Sequence, residues 1–348
     1  MLPVRRNIRE MAGYVPGEQL NDPDVVKLNT NENPYPPSPR VFEAVRAALT
    51  GDRLRKYPQP LGDTFRRAAG RVLNVDPDAI LIGNGSDDIL TILTRAFVPE
   101  GGLVLAPTPS YILYKSLAEI QGARFETVSF TPDWKLPAAW PAGGNITFLP
   151  NPNSPSGTVV SLAEVERLAA AIAPAPLVLD EAYADFADDN GLSLLGRVPN
   201  LIVTRTLSKS YALAGIRFGF AVAAPAVVRE LVKVKDSYNC DVLSLAAATA
   251  AVEDQEYFRA CRDKILATRG RLAPALAALG FDVTPSHANF LWCRRGDRPV
   301  KPIYENLKAR KLLVRYMNYA GTDGLRITVG TDAEADRLLA ELRSIILG

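Results

Sequence analysis

The chain has 348 residues, of which 47% are hydrophobic and 22% charged, the ordinary balance of a globular protein with room for two domains. Its 40 basic and 38 acidic residues sum to +2 with no block of like charge, which argues against nucleic acid or an anionic membrane as a partner. Residues 1–8 lack the apolar core of a signal peptide, and no apolar run approaches the roughly 20 residues that cross a bilayer. Cys240, Cys261 and Cys293 are scattered without metal-ligand spacing, so a reducing cytoplasm is the simplest home and no metal site is expected. The single histidine, His287, would have to carry any Ser-His-Asp, Cys-His or imidazole-rich zinc site alone. It precedes a strand-like run with no nucleophile elbow nearby and reads as structural. General acid–base chemistry therefore falls to lysine, tyrosine or a carboxylate.

In chain order, the segment to about residue 38 is rich in Pro and Asn and lacks core periodicity, and it reads as an arm. Short apolar or β-branched runs follow at 79–82, 103–106, 124–128, 146–149, 177–180, 201–205 and 218–222. Amphipathic stretches at 88–97, 111–121, 161–172 and 226–234 separate several of them. Ser161 with Glu164 three residues on reads as a capping box. Alternation of this kind, with continuous apolar strands, predicts a largely parallel sheet covered on both faces. After about residue 245 the texture changes to two long helical patterns, 245–278 and 333–347, with strand candidates at 289–293, 311–316 and 325–329. The expected organisation is an arm (1–38) that contributes to the small domain, a large domain (39–245) and a small α+β domain (246–348), without internal repeats.

Asp180 ends the apolar run Pro176-Leu177-Val178-Leu179, at the carboxyl end of a strand where α/β sheets place their ligands. The next strand candidate runs into Thr206-Leu207-Ser208-Lys209, and Arg217 follows eight residues after the lysine. Hydroxyls and a guanidinium around a lysine with small apolar neighbours are what a phosphate dianion needs. Upstream, Ile82-Gly83-Asn84-Gly85-Ser86-Asp87-Asp88 joins a strand to a helix, where exposed N–H groups favour an anion. Asn151-Pro152-Asn153-Ser154-Pro155-Ser156-Gly157 follows another strand as a stiffened loop. Pyridoxal 5′-phosphate asks for these residue types together: an amine for its aldehyde, a carboxylate for its ring nitrogen, and hydroxyls, N–H groups and a cation for its phosphate. Lys209, Asp180 and Arg217 answer those needs in turn. No Gly-x-Gly-x-x-Gly opens a first strand–helix unit, which weakens a dinucleotide-dependent dehydrogenase reading.

These segments, with Asp180-Glu181-Ala182-Tyr183 and Ala212–Arg217, resemble the fold-type-I aminotransferases. Tyr14-Val15-Pro16-Gly17-Glu18, Leu28-Asn29-Thr30-Asn31-Glu32-Asn33-Pro34-Tyr35, Lys56-Tyr57-Pro58 and Gly324-Leu325-Arg326-Ile327-Thr328-Val329-Gly330 resemble the histidinol-phosphate aminotransferase branch. The resemblance implies an α/β fold: a seven-stranded, mainly parallel mixed sheet with helices on both faces, plus a smaller α+β domain. It implies that Lys209 joins the cofactor aldehyde, Asp180 pairs with the pyridine nitrogen and Tyr183 donates to the phenolic oxygen. Gly85, Ser86, Asp87, Thr206, Ser208 and Arg217 would hold the phosphate, and Tyr111 would stack on the ring. Tyr57 would reach the phosphate of a neighbouring subunit, so a homodimer with shared sites is implied. Arg326 would clamp a substrate anion, with Arg315, Tyr14, Asn33 and Tyr238 around the substrate.

The sequence departs from the family pattern at Ser154-Pro155-Ser156-Gly157, where Asn-Pro-Thr-Gly is usual. Either Asn153 or Ser154 then replaces the asparagine that contacts the phenolic oxygen. The implied reaction is a ping-pong transamination between histidinol phosphate and 2-oxoglutarate, in histidine biosynthesis. An aromatic amino acid aminotransferase and a threonine-phosphate decarboxylase-like lyase share most of these motifs, and a binding or regulatory protein could keep the fold.

Overall fold

The structure is a computed structural model that describes residues 2–14, 17–20, 22–319 and 322–347. Val15 and Pro16 of the Tyr14–Glu18 segment lie outside the described residues. Among the described residues twelve strands form two sheets: β1 (Val26–Leu28), β2 (Ile80–Gly83), β3 (Leu103–Thr108), β4 (Arg124–Ser129), β5 (Ile146–Pro150), β6 (Leu177–Asp180), β7 (Leu201–Thr206), β8 (Gly219–Val222), β9 (Asp282–Thr284), β10 (Phe290–Arg294), β11 (Leu312–Tyr319) and β12 (Thr322–Thr328). The large sheet has the order β2-β8-β7-β6-β5-β3-β4 and the small one β1-β11-β12-β10-β9.

In the large sheet every pairing from β7 through β6, β5 and β3 to β4 is parallel, and β8 alone runs against its neighbours β7 and β2. A sheet covered on both faces favours apolar strands without alternation, and every residue of β2, β5, β6, β7 and β8 is buried. Because β8 is the only reversed strand, β2, β3, β5, β6 and β7 all end at the same edge. The loops after those five strands carry Gly85–Asp87, Tyr111, Asn153–Ser154, Tyr183 and Lys209 to one place. The seven strands of the sequence reading appear with ends shifted by at most two residues. Ser161 and Glu164 form the capping box of helix Leu162–Ile172, each side chain accepting from the other residue's backbone N–H.

Two of the departures from the sequence reading have a plain physical reason. The helical pattern 245–278 is two helices, Val242–Glu253 and Gln255–Ala278, separated at Asp254. Asp254 leaves helical geometry (φ −92°, ψ 68°) and its carboxylate accepts from the N–H of Tyr257, so it starts the second helix. The alanine-rich run on either side hides this junction from periodicity alone. The opening segment carries a strand that the sequence reading did not pick out: β1 pairs in parallel with β11, Leu28 opposite Val314. Leu28 is 1% exposed and packs with Leu312, Leu325, Ile327, Leu338 and Leu342 in the core of the small sheet. Three residues are too few for a period-two pattern to register in the sequence.

Leu28→Ala removes a fully buried side chain from the one strand that ties the arm to the small sheet. It is expected to destabilise by about 2–5 kcal/mol, read as a lowered midpoint in urea or thermal unfolding, whereas Leu20→Ala on the exposed arm should leave the midpoint unchanged.

Candidate active site

At the shared carboxyl edge of β2, β3, β5, β6 and β7 lies a cavity of about 340 Å³, its far wall built by the small sheet and the arm. That volume suits a cofactor with a small substrate. Lys209, on the loop after β7, lines it and donates from Nζ to the backbone carbonyl of Thr30 at 2.9 Å. Burial, and secondarily the nearby Arg326 guanidinium, pull the Lys209 pKa down to about 8; Glu32 and Asp87 oppose them. A lysine so poised keeps a useful fraction of free amine at neutral pH, which a carbonyl-capturing nucleophile requires.

Asp180 ends β6 and is 5% exposed. Its Oδ2 accepts from the Tyr114 hydroxyl at 2.7 Å and its Oδ1 from Thr204 Oγ1 at 3.1 Å. Burial raises its pKa against these two hydrogen bonds. A carboxylate held this way is ready for a cation arriving from the cavity. The Tyr183 hydroxyl accepts from Asn31 Nδ2 at 2.9 Å, and Lys209 Nζ lies 6.0 Å from the centre of its ring.

An anion cradle sits beside them. Helix Ser86–Phe97 points its N-terminus at the cavity, and Ser86, Asp87, Thr206, Ser208 and Arg217 line that side. The Ser208 N–H and hydroxyl both bond Thr206 Oγ1, at 3.2 and 3.0 Å, which fixes the hydroxyl pair. Arg217 adopts left-handed geometry (φ +57°) and holds Asp87 at 3.5 Å, so its guanidinium faces the helix start. Gly85 has φ +83°, and a Cβ there would lie 2.6 Å from Arg217 Nη2; only glycine lets the arginine close over the turn. The Tyr111 hydroxyl donates to Asp87 at 3.2 Å, and its ring meets Tyr14 edge-on at 6.2 Å.

On the opposite wall Arg326 and Arg315 face each other across β12 and β11, both lining the cavity. Arg326 donates to Ser154 Oγ and to the Asn29 carbonyl, each at 2.9 Å, while its buried Nε has no partner. Burial lowers its pKa, and among the described residues no carboxylate is paired with it.

Five residues singled out from the sequence do not line the cavity. Gly85 stands behind Arg217 in the turn just described. Asn153 turns its amide to the Pro109 carbonyl (3.2 Å) and to Ser156 Oγ (2.9 Å), leaving Pro152 and Ser154 as the loop residues that reach the cavity. Asn33 donates to the Ser210 carbonyl at 3.0 Å. Tyr57 and Tyr238 stack on one another at 4.4 Å and lie 80% and 45% exposed on the surface. Conversely, Thr30, Asn31, Tyr114 and Thr204 support the central residues and were not singled out. Tyr114 had one visible signal, its place three residues after Tyr111 in an amphipathic stretch. A buried ion-pair set also went unread: Arg205 bonds Glu181 at 2.8 Å and Asp185 at 2.9 Å, and Ser210, beside Lys209, donates to Asp185. It ties the Lys209 loop to the loop after Asp180.

The family model for aminotransferase class I and II matches residues 23–342. The chain belongs to this aminotransferase family. A histidinol-phosphate aminotransferase of Rhodopirellula baltica is 52% identical over 342 residues, covering 96% of this chain and 93% of the relative. Another, from Geobacter sulfurreducens, is 48% identical over 353 residues, covering 99% of this chain and 100% of the relative. The crystal structure of histidinol-phosphate aminotransferase from Sinorhizobium meliloti in complex with pyridoxal-5′-phosphate superposes with a TM-score of 0.84 at 29% identity, covering 93% of this chain and 91% of that one. This aminotransferase shares the two-sheet α/β architecture of that structure.

Because the Lys209 pKa is lowered to about 8, its reactive neutral form grows as pH rises. Capture of pyridoxal phosphate by the cofactor-free protein, followed by stopped-flow absorbance, should accelerate about tenfold per pH unit below that value and level off above it. A rate still climbing beyond pH 10 would show an unperturbed lysine.

Proposed function

We propose that this aminotransferase is a pyridoxal phosphate-dependent enzyme that exchanges the amino group of histidinol phosphate with 2-oxoglutarate. The donor set of the cavity fits the cofactor: an amine of lowered pKa, a buried carboxylate, and a cradle of hydroxyls, helix N–H groups and one arginine. When bound, the cofactor supplies an aldehyde that takes up the substrate amine and a protonated ring that withdraws electrons from the substrate Cα.

In this reading the chain's own groups do the rest. Asp180 keeps a proton on the ring nitrogen, and Tyr114 and Thr204 hold its two oxygens in place. Lys209 removes the proton from the substrate Cα and returns one to the cofactor C4′, so a single amine serves as base and acid. Thr206, Ser208, Arg217 and the N-terminus of helix Ser86–Phe97 fix the phosphate, and the Tyr111 ring limits how the cofactor tilts.

The observation that carries the substrate choice is the pair Arg315 and Arg326, directly opposite on neighbouring strands at the cavity wall. Opposite residues of an antiparallel pair project to the same face. Two guanidiniums side by side at a low-dielectric wall favour a dianion, and a phosphate supplies the second charge that a carboxylate lacks. Relatives 44–52% identical over nearly the whole chain carry the name histidinol-phosphate aminotransferase, which supports the same choice.

Tyr57, exposed and stacked on Tyr238 outside its own cavity, is free to reach the cavity of a second copy, which supports a homodimer as the working unit. Three buried, unpaired cysteines suit a cytoplasmic setting.

The test is a titration of the bound cofactor's visible absorbance with histidinol phosphate, in wild type, Lys209→Ala and Arg315→Ala. Wild type should bleach at low substrate concentration, and Lys209→Ala should turn over at least about 10³-fold more slowly. Arg315→Ala should weaken histidinol phosphate by about 10- to 150-fold, the worth of one charge-assisted contact, and phenylalanine much less. A wild-type protein that ignores histidinol phosphate and responds to phenylalanine would overturn the substrate assignment and keep the mechanism.

A further inference from the structure

Asn31 is 1% exposed and stands in left-handed geometry (φ 58°), a conformation that asparagine tolerates better than most residues. Every polar group of this residue is engaged. Its backbone N–H donates to Thr328 Oγ1 at 3.0 Å, and its carbonyl accepts from Asn289 Nδ2 at 3.0 Å. Its side-chain Oδ1 accepts from the Thr328 hydroxyl at 3.0 Å, and its Nδ2 donates to the Tyr183 hydroxyl at 2.9 Å.

The direction of this chain of hydrogen bonds follows from the backbone. A peptide N–H can only donate, so Thr328 Oγ1 is an acceptor from Asn31. The only acceptor that the described residues offer Thr328 for its own hydrogen is Asn31 Oδ1. Leaving a buried hydroxyl hydrogen unspent is costly, so the oxygen of the amide must face Thr328 and its NH₂ must face Tyr183. Tyr183 is then an acceptor on that side, and its own hydrogen is turned away from Asn31. Tyr183 lines the cavity, and Phe290 closes its ring edge at 5.0 Å, so the cavity is where the hydrogen goes.

We propose that Asn31, pinned by Thr328, is a positioning residue that fixes the Tyr183 O–H as a donor into the cavity, toward the phenolic oxygen of the cofactor. The inference rests on the cofactor reading above. It gives the departure at Ser154 a consequence. Ser154 Oγ accepts from Arg326, which leaves its own hydrogen to donate, and Asn153 does not line the cavity, so the directed tyrosine is a fixed donor beside a serine hydroxyl that is shorter than the usual asparagine. The charged groups that act on Tyr183 are Arg326, which favours its ionised form, and Asp180 and Asp87, which oppose it; Lys209 faces the ring. None of them sets which way the hydroxyl hydrogen points. Among the described residues only Asn31 is within hydrogen-bond distance of the Tyr183 oxygen.

The experiment is a pH titration of the visible absorbance of the holoenzyme in four proteins: wild type, Tyr183→Phe, Asn31→Asp and Asn31→Gly. A hydrogen bond to the cofactor's phenolic oxygen favours its ionised form, so losing it raises the spectroscopic pKa. Tyr183→Phe should raise that pKa by about one unit or more. Asn31→Asp, which replaces the donor by an acceptor and draws the tyrosine hydrogen to itself, should reproduce that rise. Asn31→Gly keeps the left-handed backbone without strain and leaves the hydroxyl free to rotate, so its rise should be smaller. The same order should appear in kcat, with KM for histidinol phosphate changed less than threefold. Asn31→Asp and Asn31→Gly both titrating with wild type, while Tyr183→Phe shifts, would overturn the proposal. Absence of a visible band in wild type would instead overturn the cofactor reading on which it rests.

Discussion

A carboxylate buried at the end of an entirely apolar strand is the constraint around which this protein is organised. Asp180 closes β6, whose four residues are all buried, and burial alone pushes its proton affinity up. A charge in that position is stable only with dedicated hydrogen bonds and a cation to meet it. Tyr114 and Thr204 supply the first. No cation among the described residues is paired with it, and a protonated ring nitrogen is the complement that the proposed cofactor brings. The parallel sheet then decides what else is near: β2, β3, β5 and β7 end beside β6, so their loops deliver Lys209, the hydroxyl-and-arginine cluster and Tyr111 to the same cavity.

The opposite wall obeys a second electrostatic rule. Arg326 and Arg315 are brought together by the register of β11 and β12, and like charges side by side are unfavourable without an anion. Ser154 and the Asn29 carbonyl hold Arg326 from the large sheet's loop and from the arm, so three distant parts of the chain meet at one guanidinium. The arm matters for the same reason. Its β1 docks on β11, which places Thr30 and Asn31 against Lys209 and Tyr183. What reads as an arm without core periodicity forms part of the cavity wall.

Much of this was legible without coordinates. The apolar strands, the Ser161 cap and the cluster of Asp180, Lys209 and Arg217 are local patterns, and local patterns survive in sequence. The break at Asp254 did not, because alanine-rich helix runs through it on both sides and the capping carboxylate is one residue among many acids. Tyr114, Thr204 and Asn31 were not singled out because each acts through a partner 24 to 152 residues away, and nothing in a linear pattern marks such a pair. The Arg205–Glu181–Asp185 set was hidden likewise: Asp185 looks like any loop acid until strand pairing sets Asp180 opposite Thr204, which brings Glu181 and Arg205 alongside.

By itself the sequence determined the large sheet's strands, the residue types of a phosphate-and-amine site and their order along the chain, since these depend on periodicity and on the chemistry of neighbours a few bonds apart. Tertiary structure decided which of those residues share a cavity. It turned Asn153 away and Ser154 inward, put Tyr57 and Tyr238 outside, and set Arg315 opposite Arg326. It also closed the Thr328–Asn31–Tyr183 chain of hydrogen bonds. Those outcomes depend on strand register and on how buried donors and acceptors pair across long sequence separations, and burial enforces both only once the two sheets have packed.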